Sequence, residues 1–207
     1  MTLSGGGPTG VVLDSARNRA YVATRFDNGI SVVSTANPMT ETAHIRMFNP
    51  EPAAVKNGRR FMYDANYTSS RGDSSCAGCH VFGDMDHLSW DLGNPDEEVV
   101  ANRNVYNTNI PRIGRNDNFH PMKGPMTTQS LRGMKGAGPL HWRGDRSGSN
   151  ASRGETLEEQ AFEEFNVSFV DLLNRQEPLT EQEMDLFARY ALQLTYPPNP
   201  IANLDNS

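Results

Sequence analysis

Short apolar bursts alternate with polar residues over roughly the first 45 positions, and turn-forming residues separate them. Val11-Val12-Leu13 runs into Asp14-Ser15-Ala16-Arg17-Asn18. Ala20-Tyr21-Val22-Ala23-Thr24 follows, and after Asp27-Asn28-Gly29 comes Ile30-Ser31-Val32-Val33-Ser34. Bursts of this length between such turns predict three strands of an antiparallel β-meander. From Pro50 the period changes. Residues 51–63 carry a proline near the start and predict a short helix, and a second helix is expected from Cys76 to Gly83. Between Asp84 and Pro125 apolar periodicity fades and Asn, Asp, Gly and Pro dominate, the texture of a long loop that wraps a ligand or serves function. Thr156-Leu157-Glu158-Glu159 has the order of a capping box, and Leu157, Ala161, Phe162, Phe165, Phe169, Leu172 and Leu173 recur at helical spacing. Thr180 to Glu183 opens a last helix with Met184, Phe187, Ala188, Ala191, Leu192 and Leu194 on one face, and Pro197-Pro198 ends it. That helix is expected to cross the one bearing Cys76. The sum is a mainly α chain: a β-meander over 1–48, a helical domain with long loops over 49–197, and a tail or linker over 198–207.

At 207 residues there is room for one domain, or one plus a fragment. The hydrophobic fraction is 36% and the mean hydropathy −0.62, polar for a self-sufficient globule, so a buried apolar cofactor would supply part of the core. A net charge of −6 argues against a nucleic-acid footprint, which needs a basic face. No run approaches the ~18 apolar residues of a membrane span, and Met1 to Gly10 lacks the features of a signal peptide.

The only two cysteines stand in Cys76-Ala77-Gly78-Cys79-His80. This C-x-x-C-H spacing is the attachment signature of a c-type haem, in which two thiols add to porphyrin vinyl groups and the adjacent imidazole binds iron. One covalent haem c is expected, with His80 as proximal ligand and its other ring nitrogen donating to a backbone carbonyl. A structural zinc site would need about four ligands, and no second cysteine pair exists. A redox dithiol favours a βαβ setting, which the Gly-, Ser- and Asp-rich flanks do not suggest. Thioether attachment takes place outside the bacterial cytoplasm, so a periplasmic or other extracytoplasmic location is expected. The export signal would then lie upstream in a longer polypeptide.

For the second axial position the best supply is the Pro- and Gly-braced segment 119–126. Met126 ranks first, then Met122, His120 and Met134; methionine ligation raises a haem potential, although each methionine taken singly also suits core filling. Arg132 and Arg143 are candidates for the haem propionates, because a planar guanidinium matches a carboxylate. Trp142 and Trp90 are candidates for the porphyrin edge, and His141 for acid–base work at an open distal face. The acidic run Asp84, Asp86, Asp91, Asp96, Glu97 and Glu98 suits a solvated loop better than a calcium site, since it lacks regular ligand spacing.

Two resemblances add to this. Gly7-Pro8-Thr9-Gly10-Val11-Val12, Asn18-Arg19-Ala20-Tyr21-Val22-Ala23 and Asn28-Gly29-Ile30-Ser31-Val32-Val33 resemble one blade of a YVTN-type β-propeller. Thr128-Gln129-Ser130-Leu131-Arg132-Gly133, Pro139-Leu140-His141-Trp142-Arg143-Gly144-Asp145 and Glu155-Thr156-Leu157-Glu158-Glu159 follow the haem motif in the order found in bacterial di-haem cytochrome c peroxidases. That resemblance spans roughly 50–197 and implies a cytochrome c-like helical haem domain. Gln129 replaces an expected proline, Trp142 stands where a histidine would, and a single C-x-x-C-H is present. In that family a methionine or tyrosine after the Thr-Leu-Glu-Glu motif binds the electron-donating haem, and the aligned place here holds Glu163, Glu164 or Phe165. The expected function is electron transfer by a mono-haem module acting with a redox protein partner or a second haem module. The alternative is part of a peroxidase-like oxidoreductase with an open distal site. Exposed strand edges would also permit an oligomer through the β segment.

Overall fold

The computed structural model describes residues 1–102, 118–122, 124–148 and 156–203. The first unit is a four-stranded antiparallel sheet in the order β1 (Pro8–Asp14), β2 (Arg19–Thr24), β3 (Gly29–Ser34), β4 (Thr40–Arg46). The meander thus has one strand more than the apolar pattern shows. Thr40-Glu41-Thr42-Ala43-His44-Ile45-Arg46 hides its strand character because it is an edge strand held by polar contacts. His44 stands opposite Ser31 in register, its Nε2–H donates to Asp27 Oδ2 at 2.5 Å, and Ser31 Oγ lies 3.0 Å from Nδ1. Ser4 reaches across to Glu41 through its backbone N–H and its hydroxyl, at 2.7 and 2.8 Å. The other edge is bare. Val11, Val12 and Leu13 in β1 are 64, 67 and 68% exposed, and since successive side chains alternate in direction, neither face of that strand is covered.

The second unit is built on α1 (Ala53–Tyr63), α2 (Ala65–Thr68), α3 (Cys76–Cys79), α4 (Leu157–Glu163), α5 (Ser168–Asp171) and α6 (Glu181–Ala191), with a small ribbon of β5 (Ser89–Asp91) on β6 (Pro125–Thr127). Capping boxes form at Thr156–Glu159 and Thr180–Glu183, as their sequence order suggests. Phe187 of α6 centres the core, with Phe162, Phe169 and Phe61 rings 5.0, 6.0 and 6.1 Å away. The last helix packs across α1 rather than across the turn bearing Cys76, and α3 in turn rests on α1. Gly58 allows that crossing: a Cβ there would fall on the Leu186 carbonyl oxygen and 2.5 Å from Tyr190 Cβ.

The expectation of a mainly α fold is overturned. Of the described residues 28% are helical and 20% lie in strands, so the protein is mixed α and β. Part of the difference is β4 and the β5–β6 ribbon. The rest comes from shortened helices: the expected 76–83 helix is one α turn followed by a 3-10 turn at Val81–Gly83. The stripe from Leu157 to Leu173 is likewise broken by a 3-10 turn at Glu164–Val167, where the Asn166 side chain binds both the N–H and the carbonyl of Leu179 at 2.9 Å. Among the described residues no helix is long and apolar enough to cross a membrane.

Glu51 ties the two units together. It accepts from Arg59 of α1 and, at 2.9 Å, from Arg25 just after β2. The Arg59 and Arg25 hydrogen bonds outweigh burial and hold the Glu51 carboxyl at about 2. A depressed carboxyl stabilises the fold above its unfolded value and loses that contribution as pH falls through the folded one. Stability is therefore expected to drop by roughly 1–2 kcal/mol, after allowance for solvent screening, as pH falls from 4.5 towards 2. Urea unfolding at a series of pH values should show Glu51→Gln removing that part of the slope.

Candidate functional site

Cys76 and Cys79 are free thiols on a single helical turn, closed by His80 N–H donating to the Cys76 carbonyl at 2.8 Å. Cys76 leans on the core beside α1, and burial pushes its thiol up to about 12. Cys79 is raised too, by burial and by the charge of Asp86. His80 follows in a non-helical conformation, and its Nδ1–H donates to the Gln129 carbonyl at 2.7 Å. A carbonyl only accepts, so the proton is fixed on Nδ1 and the Nε2 lone pair is left as a donor to a metal. Burial lowers the His80 pKa against the opposing pull of the Gln129 bond, the Asp86 charge and a backbone bond with Asp84, which favours the neutral ring that metal binding needs.

The backbone beyond His80 is strained. Phe82 takes φ 53° and ψ 31°, a left-handed conformation that costs a bulky residue about 1–3 kcal/mol. Its side chain is nevertheless 78% exposed. Val81, Met85, Leu88 and Trp90 are exposed as well, at 39 to 53%, so the segment that follows the motif carries a run of exposed apolar groups. Trp90 is braced by its Nε1–H, which reaches Asp86 Oδ2 at 3.0 Å and Thr128 Oγ1 at 3.1 Å.

The expected axial partners separate. Met126 lies half-buried in β6, opposite Trp90 and three residues before Gln129. Met122 is exposed. His120 is a poor ligand in this arrangement: its Nδ1 accepts the Met122 N–H at 3.0 Å, which in a neutral ring puts the proton on Nε2 and occupies the lone pair. Met134 is 8% exposed within the core around Phe187, where its thioether serves as packing. The propionate candidates are already paired. Arg132 binds Asp84 at 3.0 Å and the Phe82 carbonyl at 3.1 Å. Arg143 binds Asp145 at 3.0 Å and the His120 carbonyl at 2.6 Å.

His141 belongs to this second cluster. Its Nδ1–H donates at 2.5 Å to Asp145, and both side chains are almost wholly buried. Burial raises the Asp145 carboxyl, but the His141 hydrogen bond and the charges of His141 and Arg143 prevail and hold it at about 2. His141 itself takes φ 66°, and its ring packs edge-on to Phe165, 5.9 Å away. Trp142 projects from this corner half into solvent, its ring 6.2 Å from that of His141.

The donor set suits a c-type haem: two free thiols one turn apart, an imidazole whose Nδ1 is held by a carbonyl, and exposed apolar residues in the segment that follows. Among the described residues no three His, Cys, Asp or Glu side chains gather as a metal site; a haem asks the protein for axial ligands alone, since the porphyrin supplies the equatorial nitrogens. Gln129, Asp84, Asp86 and Asp145 were not legible as site residues. Gln129 acts through its carbonyl, which no side-chain pattern reveals, Asp84 and Asp86 read as parts of a solvated acidic loop, and Asp145 stood only within the 139–145 motif. No known protein family matches the chain, and no curated protein or solved structure matches it either. The likeness to peroxidase haem modules and propeller blades is carried by the short motifs alone.

Proposed function

We propose that this chain is a mono-haem c-type cytochrome module that transfers electrons, with Cys76 and Cys79 as attachment points and His80 as proximal ligand. The observation that carries this reading is the His80 Nδ1–H bond to the Gln129 carbonyl, made directly beside the second of two free thiols. When bound, the haem supplies a one-electron Fe(III)/Fe(II) couple. The chain's part is to hold the imidazole in one tautomer and to present apolar side chains in the segment that follows it. Met126 or Met122 is the proposed second axial ligand, and the partner a redox protein or a second haem module. The proposed location is periplasmic or otherwise extracytoplasmic, because thioether attachment of haem takes place outside the bacterial cytoplasm.

A peroxidase-like oxidoreductase with an open distal site is the second reading, favoured by the buried His141–Asp145 pair, an arrangement suited to proton handling. Optical spectra of the purified holoprotein, oxidised and reduced, decide between them. A low-spin spectrum with the weak charge-transfer band of methionine-bound ferric iron, unmoved by peroxide, is expected. A high-spin spectrum that peroxide alters would favour the enzyme, and a protein isolated without haem would end both.

A further inference from the structure

The turn that follows His80 is gripped from one short segment, residues 129–132. The Gln129 carbonyl accepts from His80 Nδ1–H at 2.7 Å. The Leu131 N–H donates to the Gly83 carbonyl at 3.0 Å. Arg132 donates from Nη2 to the Phe82 carbonyl at 3.1 Å and pairs through Nη1 with Asp84 at 3.0 Å. The grip is anchored in turn, since Gly133 N–H donates to the Leu194 carbonyl at 2.8 Å just past α6.

Arg132 meets the turn at a strained residue. Phe82 is left-handed, and its exposed ring offers little packing to hold it so. Its backbone conformation must then be fixed by what its peptide groups bind, and the Arg132 guanidinium takes the carbonyl. The planar fork reaches the carbonyl and the Asp84 carboxylate together, which an ammonium group does not reproduce. Two residues back along the same turn is the imidazole, whose rotation follows from where the turn and the Gln129 carbonyl sit relative to one another.

We propose that Arg132 is a positioning residue for the proximal ligand: by bridging Phe82 and Asp84 it fixes the orientation of the His80 ring against the 129–132 segment. This deepens the haem reading and rests on it. The function differs from the propionate contact expected for this arginine, because here the guanidinium acts on the protein's own backbone.

The test compares holoprotein of wild type, Arg132→Gln, Arg132→Lys and Asp84→Asn by haem content, midpoint potential and the spread of the low-spin EPR g values, which follows the imidazole orientation. A simple charge effect would move the potential in opposite directions for Arg132→Gln and Asp84→Asn and leave the g values alone. Positioning predicts that the haem-loaded fraction of all three variants shows g values changed in the same sense. Arg132→Lys should fall between wild type and Arg132→Gln, since lysine keeps the charge and loses the fork. Unaltered g values in haem-loaded Arg132→Gln and Asp84→Asn would overturn the proposal while leaving the cytochrome reading intact. If Arg132→Gln fails to fold, the Arg132→Lys and Asp84→Asn pair carries the same comparison. A wild-type protein that yields no pyridine haemochrome would overturn both.

Discussion

The double variant Cys76→Ser, Cys79→Ser will give up all of its haem to acidified acetone, whereas the wild type will retain it. Acid protonates the imidazole and removes axial ligation, so only thioether bonds survive the extraction. Both thiols are unpaired and sit on one turn, and no other cysteine exists to replace them. Each single variant should keep one thioether and remain resistant, with a pyridine haemochrome band displaced towards that of a porphyrin bearing one vinyl group. Wild-type protein that loses its haem in the same wash would show that the motif binds haem without covalent attachment, or not at all.

Gly58→Ala is expected to destabilise the protein by about 2–3 kcal/mol, against the usual sign for that substitution. In an exposed helix interior, alanine gains about 0.5–1 kcal/mol over glycine. At Gly58 the new methyl would meet the Leu186 carbonyl oxygen and the Tyr190 Cβ, atoms of the helix frame that cannot swing aside like the end of a flexible side chain. To admit it, α1 and α6 must part, loosening Phe61 and Met62 against Phe187 and Met184 throughout the core. Urea denaturation should show a lower midpoint with an unchanged slope, and Gly58→Val should be worse. An alanine variant as stable as the wild type would mean that the two helices do not approach closely in solution.

The elements with strong local signals were legible in the sequence. The capping residues Thr156 and Thr180 start their helices where their side chains can accept the third N–H, and α1 occupies most of the 51–63 stretch. What failed was decided by distant partners. β4 has almost no apolar alternation, because its place depends on His44 meeting Asp27 from the β2–β3 turn. The 157–173 stripe has helical spacing throughout, yet Asn166 turns to the backbone of Leu179, thirteen residues on, and the helix tightens there. At the site, Cys76, Cys79 and His80 are legible because their chemistry lies in side chains at fixed spacing. The carbonyl that orients His80 comes from position 129, and nothing in the identity of a glutamine announces it. Arg132 stood out in the sequence as a candidate, but its partners did not, since its contacts depend on a left-handed Phe82 that no residue preference favours.

Cys76 sets an order of events in the life of the chain. A thiol pushed up to about 12 by burial is ionised in only about one molecule in 10⁵ at neutral pH, and packing against the core shields it further. Folding would therefore leave the half-buried Cys76 the less reactive of the two thiols proposed as attachment points. On the haem reading, collapse of the helical core and the addition of the thiols to porphyrin would compete, and assembly would be favoured by the chemistry coming first.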